Sequence, residues 1–301
     1  MKKAFLVLIT IALVVGLSLS GIIPVAAQEP HEGPTVWPQP ITDPAKAVPF
    51  SHPLGNTCNP DSPYYNPNDR YGAPGSRFGP PGQRSLEFPI PGIGDLGPGH
   101  RAFGTIISTY TDVNYAYAHH RYFYDLSIPS GTSLYAPTLL KPDSAKCPLE
   151  ILTRYWVSSG TMKRHIAVYN HVTGQFNSST PIVSEYLSNG FYACETLKYG
   201  STWYAMLYNF SDGQWETWAT ETRPRSGTEY RGWNIWEEYN FDESNWPSLG
   251  GLRLEAKDIL INITGVGDRY VTSSYGYQVK NVGSAPYSFK WVNKYYRWYV
   301  Q

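Results

Sequence analysis

The chain is short of charge. Asp, Glu, Lys and Arg make up only 16% of its 301 residues, too little to furnish the polar faces of a helical protein of this size. Methionine and cysteine each occur three times. The cysteines, Cys58, Cys147 and Cys194, stand in no metal-type or redox-type spacing. No His-Glu-x-x-His zinc site, Gly-x-Ser-x-Gly elbow or P-loop occurs in the chain. There is no basic surplus either: 24 basic residues face 24 acidic ones, which argues against a nucleic-acid partner. Beyond residue 27 no apolar run is long enough to span a bilayer.

What is present begins with an export signal. Lys2 and Lys3 give a positive start, residues 4–19 are almost wholly apolar, and Val25-Ala26-Ala27 supplies the small residues a signal peptidase needs. A membrane anchor is the rival reading, but the run is short for a full span. Residues 1–27 are therefore expected to be removed, leaving a secreted, soluble chain that starts near Gln28. Without Lys2 and Lys3 it holds 22 basic and 24 acidic groups, a net charge of about −2. Export permits disulfides. One bridge and one buried thiol are expected from three cysteines, with Cys58–Cys147 the pairing favoured.

Aromatic residues reach 15%, with 25 Tyr and 10 Trp. These side chains suit pleated, half-buried surfaces, and the composition points to an all-β fold. Residues 28–99 hold 16 of the 25 prolines and read as an extended Pro/Gly-rich arm or a pro-segment. The stretch Gly92-Ile93-Gly94-Asp95-Leu96-Gly97 matches a dinucleotide fingerprint literally. Pro89, Pro91 and Pro98 deny it the flanking strand and helix that the motif requires.

From about residue 100 the pattern changes to alternating runs separated by Gly, Asn, Asp and Pro. Strands are predicted at 102–109, 116–126, 133–138, 149–157, 165–171, 182–186, 191–197, 202–209, 214–219, 232–239, 252–263 and 277–282, with 287–300 closing. Hairpin turns are predicted at Thr173-Gly174, Tyr199-Gly200 and Asp212-Gly213. Residues 100–301 then form a two-sheet antiparallel β-sandwich of concanavalin or jelly-roll type. A chain of this length can bury a sizeable core.

The histidines offer no metal site. His119 and His120 are adjacent on a strand and face opposite sides, and His165 and His171 sit about 20 Å apart along theirs. Hydrogen-bonded or surface roles are expected for all four, with neither metal nor cofactor. Glu237 is more informative. Alternation places Trp233, Ile235, Glu237 and Tyr239 on one face. A carboxyl group among such neighbours is partly desolvated, which is how a carboxyl is tuned for acid–base work. A buried Glu paired with Arg or Tyr is the plainer reading of the same pattern.

Four short motifs stand out within residues 190–263: Asn209-Phe210-Ser211-Asp212-Gly213-Gln214, Asn234-Ile235-Trp236-Glu237, Trp246-Pro247-Ser248-Leu249 and Leu252-Arg253-Leu254. In these the stretch resembles the C-terminal half of the glutamic peptidases, the eqolisin family of secreted acid proteases with a β-sandwich fold. This resemblance implies that Glu237, not Glu238, takes the catalytic position. The family's second catalytic residue is a Gln on an earlier strand, and Glu150 stands at the matching distance. A pair of glutamates is closer to the neprosin-type glutamic peptidases. The family's upstream Trp-x-Gly-x-Asp element is missing.

The resemblance implies an acid-acting endopeptidase working on a polypeptide, expected as a monomer. Glu237 is the base that activates water, and Glu150, kept protonated, stabilises the oxyanion. Trp156, Trp203, Trp233 and Tyr239 are expected along the substrate groove. Arg154 shares the strand parity of Glu150 and, if close, would hold Glu150 ionised. The rival classes are a sugar-binding sandwich with a platform drawn from Trp203, Trp215, Trp218, Trp233, Trp236 and Trp246, a glycan-cleaving one, and a non-catalytic relative. Asn177, Asn209 and Asn262 begin Asn-x-Ser/Thr sequons.

Overall fold

The computed structural model describes residues 37–70, 100–108, 112–226, 230–240 and 246–301. The expected signal peptide and residues 92–97 lie outside them. Among the described residues sixteen strands follow one another: β1 (Val48–Pro49), β2 (His100–Ile107), β3 (Val113–Arg121), β4 (Thr132–Leu140), β5 (Leu149–Ser158), β6 (Thr161–Asn170), β7 (Gln175–Thr180), β8 (Phe191–Tyr199), β9 (Thr202–Asn209), β10 (Gln214–Glu221), β11 (Gly232–Asn240), β12 (Leu254–Ile263), β13 (Gly267–Tyr270), β14 (Gly276–Asn281), β15 (Phe289–Asn293) and β16 (Arg297–Val300). Among the described residues there is no α-helix, only short 3-10 turns.

The strands build the expected sandwich. One sheet runs β1-β10-β9-β8-β3-β12-β16-β15, with β13 also on β12; the other runs β14-β2-β11-β4-β5-β6-β7. Every pairing is antiparallel except β1 with β10. The main core lies between the sheets and draws Phe103, Ile106, Leu139, Ile151, Trp236, Ile261 and Trp298 from both. Trp298 also donates its indole N–H to Asn234 O and Oδ1, at 3.1 and 3.0 Å, which satisfies its one polar atom across the layers.

Local sequence explains most of the elements. Gly174, Gly200 and Gly213 adopt positive φ (67°, 59° and 69°) at the three predicted hairpins. In the last, Asn209 Oδ1 accepts from Ser211 N and Asp212 N, an Asx turn. Asn209 is fully buried, so its sequon is closed in the folded chain. Three strand expectations are corrected. The strand expected at 116–126 is β3, which ends at Arg121. Residues 182–186 hold a 3-10 turn, Ser184–Tyr186, not a strand, and 287–300 divide into β15 and β16. Strand β7 went unpredicted because its Gln-Phe-Asn-Ser-Ser-Thr run does not alternate. Its hydroxyls are paired instead: Ser178 donates to Trp218 O, and Ser179 bonds His165.

Gly104 has a specific task in β2. Its φ is +141°, and an added Cβ would lie 2.6 Å from Asn234 O and 2.9 Å from Ile235 Cα. Gly104→Ala is expected to lower stability by about 1–3 kcal/mol through overpacking against the β11 backbone. Urea denaturation checks this, and an unchanged midpoint refutes it.

Residues 37–70 belong to the same compact unit as the sandwich. They first follow the outer face of the β10-edged sheet. Pro38 O accepts from Tyr117, Gln39 O accepts from Trp215, and Ile41 N donates to Glu195. After β1 they cross to the other sheet, where Thr57 N donates to Ser179 O on β7 at 2.8 Å. The expected Cys58–Cys147 bridge is not formed. Cys147 and Cys194 are buried free thiols, and Cys58 sits in a different buried cluster from Cys147.

Candidate active site

Strands β11, β4, β5 and β6 are consecutive neighbours in their sheet. Their registers align four polar side chains in one row: Glu237 opposite Tyr135, Tyr135 opposite Arg154, Arg154 opposite His165. Directly opposed residues hold their Cβ atoms about 4.5–5.5 Å apart. The row depends on Pro137. Proline cannot donate to a ladder and is admitted within a sheet at bulges. The pairing accordingly skips between Thr138 and Tyr135 against both neighbours, around the Ala136–Pro137 peptide, which is cis. That bulge brings Tyr135 into line with Glu237.

Glu237 is fully buried. It faces the phenols of Tyr135 and Tyr239, whose rings meet edge to face at 5.6 Å. Burial raises the pKa of both phenols, and the carboxyl charge of Glu237 adds to the rise; for Tyr135, Arg154 partly offsets it. Both therefore remain protonated donors from acid to neutral pH. Glu238 points the other way, toward Tyr287 at 3.3 Å, as alternation along β11 requires.

Arg154 is fully buried between aromatic faces. Its guanidinium carbon lies 3.7 Å from the Trp156 ring centroid and 4.4 Å from that of Phe176. Nη1 donates to the backbone oxygen of Asp69 at 3.0 Å, while Nε and Nη2 have no partner. Next in the row, His165 bonds Ser179 Oγ through Nδ1 at 2.8 Å. Burial, with Arg154 and Lys163 nearby, puts its pKa well below the usual histidine value.

Glu150 does not join this row. Its register partners are Leu140 and Tyr169, and Leu140 faces Trp233, four residues before Glu237. Strand β4 lies between β5 and β11. Two strand spacings and four residue steps separate the two glutamates by roughly 16 Å. The expected sharing of one water by Glu150 and Glu237 is therefore not met. Both Glu150 oxygens are engaged, with Trp233 Nε1 at 2.6 Å and His171 Nε2 at 3.0 Å. Burial lowers the His171 pKa despite the bond to Glu150, so the neutral imidazole is the form that donates to the carboxylate.

Arg154 lies in line with Glu237 rather than beside Glu150. Tyr239 and Trp156 lie at the row, whereas Trp233 anchors Glu150. Trp203 belongs to β9 of the opposite sheet, where its indole donates to Asp143 at 2.8 Å, so it is no part of a groove with Glu237. The tryptophan platform is corrected as well: Trp203, Trp215, Trp218, Trp233 and Trp236 are all buried. Reasoning from sequence missed Tyr135 and took Arg154 as a hazard. The available signal was Pro137 inside a strand pattern, which demands a bulge and so shifts the register.

The row is covered. Cys58 packs with Tyr135, Leu152, Tyr169, Phe176 and Tyr239 on this outer face, and Asp69 caps Arg154. Residues 57–69 of the arm thus lie over the face that carries Glu237. Among the described residues, no group of His, Cys, Asp and Glu is arranged to hold a metal ion.

Solved structures similar to this chain include a crystal structure of scytalido-glutamic peptidase with a transition state analog inhibitor, at 15% identity and a TM-score of 0.43, covering 67% of this chain and 98% of that one. A structure of SCP-B, a member of the eqolisin family of peptidases, in a complex with the tripeptide Ala-Ile-His is similar at 14% identity and a TM-score of 0.38, covering 66% of this chain and 96% of the other. The CBM2 module of the Lactobacillus casei BL23 phage J-1 evolved Dit is similar at 17% identity and a TM-score of 0.29, covering 48% and 64%. No protein-family model and no curated protein matches the chain.

Proposed function

We propose that this chain is an exported acid-acting endopeptidase whose general base is Glu237, held closed by its own arm until it is processed. The observation that carries this reading is the row Glu237–Tyr135–Arg154 across three adjacent strands. Hydrolysis of a peptide without metal or covalent nucleophile needs a base for water, donors for the oxyanion and a proton for the leaving amine. Glu237 takes the proton from water and passes it to the amide nitrogen as the C–N bond breaks. The Tyr135 hydroxyl and the unpartnered N–H groups of Arg154 supply the donors. Glu150 is reassigned from oxyanion partner to anchor of Trp233. The resemblance of residues 190–263 to the glutamic peptidases supports the same assignment of Glu237.

Acid onset in this reading comes through the cover. Trp37 of the arm lies on the His119 ring at a centroid distance of 4.0 Å, and burial lowers the His119 pKa. His52 of the arm pairs with Glu185. Burial beneath Trp37 opposes protonation of His119, while the Asp258 carboxylate 2.8 Å from Nδ1 supports it; in this reading the cost of burial is the larger and loosens the arm at Trp37. The deciding assay is digestion of casein and of a proline-rich peptide from acid to neutral pH, with the secreted chain before and after acid treatment. Acid-treated wild type is expected to cleave, and Glu237→Gln to lose about 10²–10⁴-fold in rate. No cleavage by matured wild type at any acid pH sinks the peptidase reading, and full activity in Glu237→Gln sinks the role of Glu237.

A further inference from the structure

Strand β6 is longer than its outer neighbour. Pairing with β7 begins at Ile166 opposite Thr180, so residues 162–165 continue past the end of β7. A cavity of about 360 Å³ occupies that place, at the lower end of the range for small-ligand sites, about 300–1,000 Å³. One wall is β6 at Lys163 and Arg164, another is the arm at Tyr64 and Asp69, and a third is the segment after β3 at Tyr122 and Tyr124.

The walls combine two chemistries. Tyr64 and Tyr124 are 56% and 57% exposed and offer ring surface to a ligand. The Tyr124 ring is fixed edge-on against Tyr122 at 5.1 Å. Tyr122 in turn donates to Arg164 O at 2.9 Å, and Arg164 Nε donates to Leu126 O at 2.7 Å. This wall is thus set before any ligand arrives. The other chemistry is polar. Asp69 is only 1% exposed. Its Oδ1 accepts from Asn66 at 2.9 Å, but its Oδ2 has no partner. The neighbouring Thr57 hydroxyl donates to Ser179 O at 3.0 Å and only helps to offset the effect of burial on Asp69. A buried carboxylate oxygen left without a donor is costly, and a ligand hydroxyl would meet that need.

We propose that this cavity binds a neutral pyranose unit of a saccharide. A pyranose has an apolar C–H face, which suits the phenol rings, and ring hydroxyls that both donate and accept. One hydroxyl donates to Asp69 Oδ2, and Lys163 donates to a neighbouring hydroxyl oxygen. The carboxylate of Asp69 opposes an anionic ligand, and Lys163 and Arg164 oppose a cationic one. The site uses none of the residues assigned to peptide hydrolysis, but its wall at Tyr64 and Asp69 belongs to the arm, so it is a site of the intact, unprocessed chain and is tested there whether or not the chain cleaves peptides. It would hold the chain to glycan-bearing material.

The test is titration of the intact secreted chain with glucose, galactose, mannose, N-acetylglucosamine and their short oligomers, followed by saturation-transfer NMR and calorimetry. At least one neutral sugar is expected to bind with a Kd of about 1 mM or tighter. Tyr124→Ala, a change at the surface, is expected to weaken that binding about tenfold and to leave cleavage of unglycosylated casein by the matured enzyme unchanged. Asp69→Asn is expected to weaken it at least as much. Absence of binding to every neutral sugar overturns the proposal, as does binding untouched by Tyr124→Ala. A preference for sulfated sugars or for peptides over all neutral sugars overturns it too.

Discussion

Arg154→Met is expected to abolish most peptide cleavage while leaving the fold about as stable as before. Arg154 is fully buried with two N–H groups unsatisfied. Arg154 forms no bonded ion pair, although the nearby Asp69 carboxylate acts on it by charge; a buried ion carries a desolvation cost, and replacing such a group by an apolar side chain of similar volume is often neutral or stabilising. Methionine would keep contact with the Trp156 and Phe176 rings. The losses are the cation–π contacts and the bond to Asp69 O. Unfolding free energy should change by no more than about 1–2 kcal/mol. Activity should change far more, because removal of one preorganised oxyanion donor costs about 10²–10³ in kcat. Kinetics on acid-matured protein, paired with urea denaturation, separates the outcomes. Retained kcat would remove Arg154 from the mechanism. A loss of more than about 3 kcal/mol would make it a structural residue.

Acidification should weaken the intact fold, and the buried histidines are the reason. Burial lowers the pKa of His119, His120, His165 and His171. For a base whose folded pKa lies below its unfolded value near 6.5, the unfolded chain binds the proton first. Its contribution is complete above that value and is lost as pH falls toward the folded pKa. Each such histidine tilts stability by up to about 1.4 kcal/mol per pH unit. Asp69 and Glu195 act in the opposite sense, because burial raises their pKa and the folded chain takes up their protons first. Four groups against two leave a net loss between about pH 7 and pH 5. Asp143, Asp258 and Glu221, all held low by their partners, add further loss only below about pH 4. The urea midpoint should fall steadily as pH drops through 6.5, and His165→Gln should flatten the slope by about one proton. A midpoint that is constant or rises over this range would refute it.

The two expectations connect. His119 lies under the arm, and His165 lies at the end of the Glu237 row and bonds Ser179, the residue that receives Thr57 of the arm. Charging His119 works against the arm at Trp37 on one sheet, and charging His165 works against its Thr57 segment on the other. A partial loss of structure in residues 37–70 should therefore precede global unfolding at acid pH.

How far the sequence reached is clearest at particular residues. Period-two alternation put Glu237 and Tyr239 on one face and Glu238 on the other, because the pleat forces it. Glycine and asparagine at 174, 200, 209 and 213 marked the hairpins, because few residues accept those backbone angles. Low charge and abundant Tyr and Trp pointed to an all-β fold, and the run of short strands after residue 100 to two packed sheets. What the sequence alone could not supply was register between strands distant along the chain. Glu150 and Glu237 have the right parity and a familiar spacing, yet β4 separates them, and a bulge at Pro137 hands the place beside Glu237 to Tyr135. Nor did a proline-rich stretch announce where it would lie. Its few strand bonds and single contacts, Trp37 on His119 and Cys58 among the tyrosines, take their positions from surfaces made 60 to 200 residues away. Local chemistry determined the elements and their faces; only their packing decided which side chains met and which were covered.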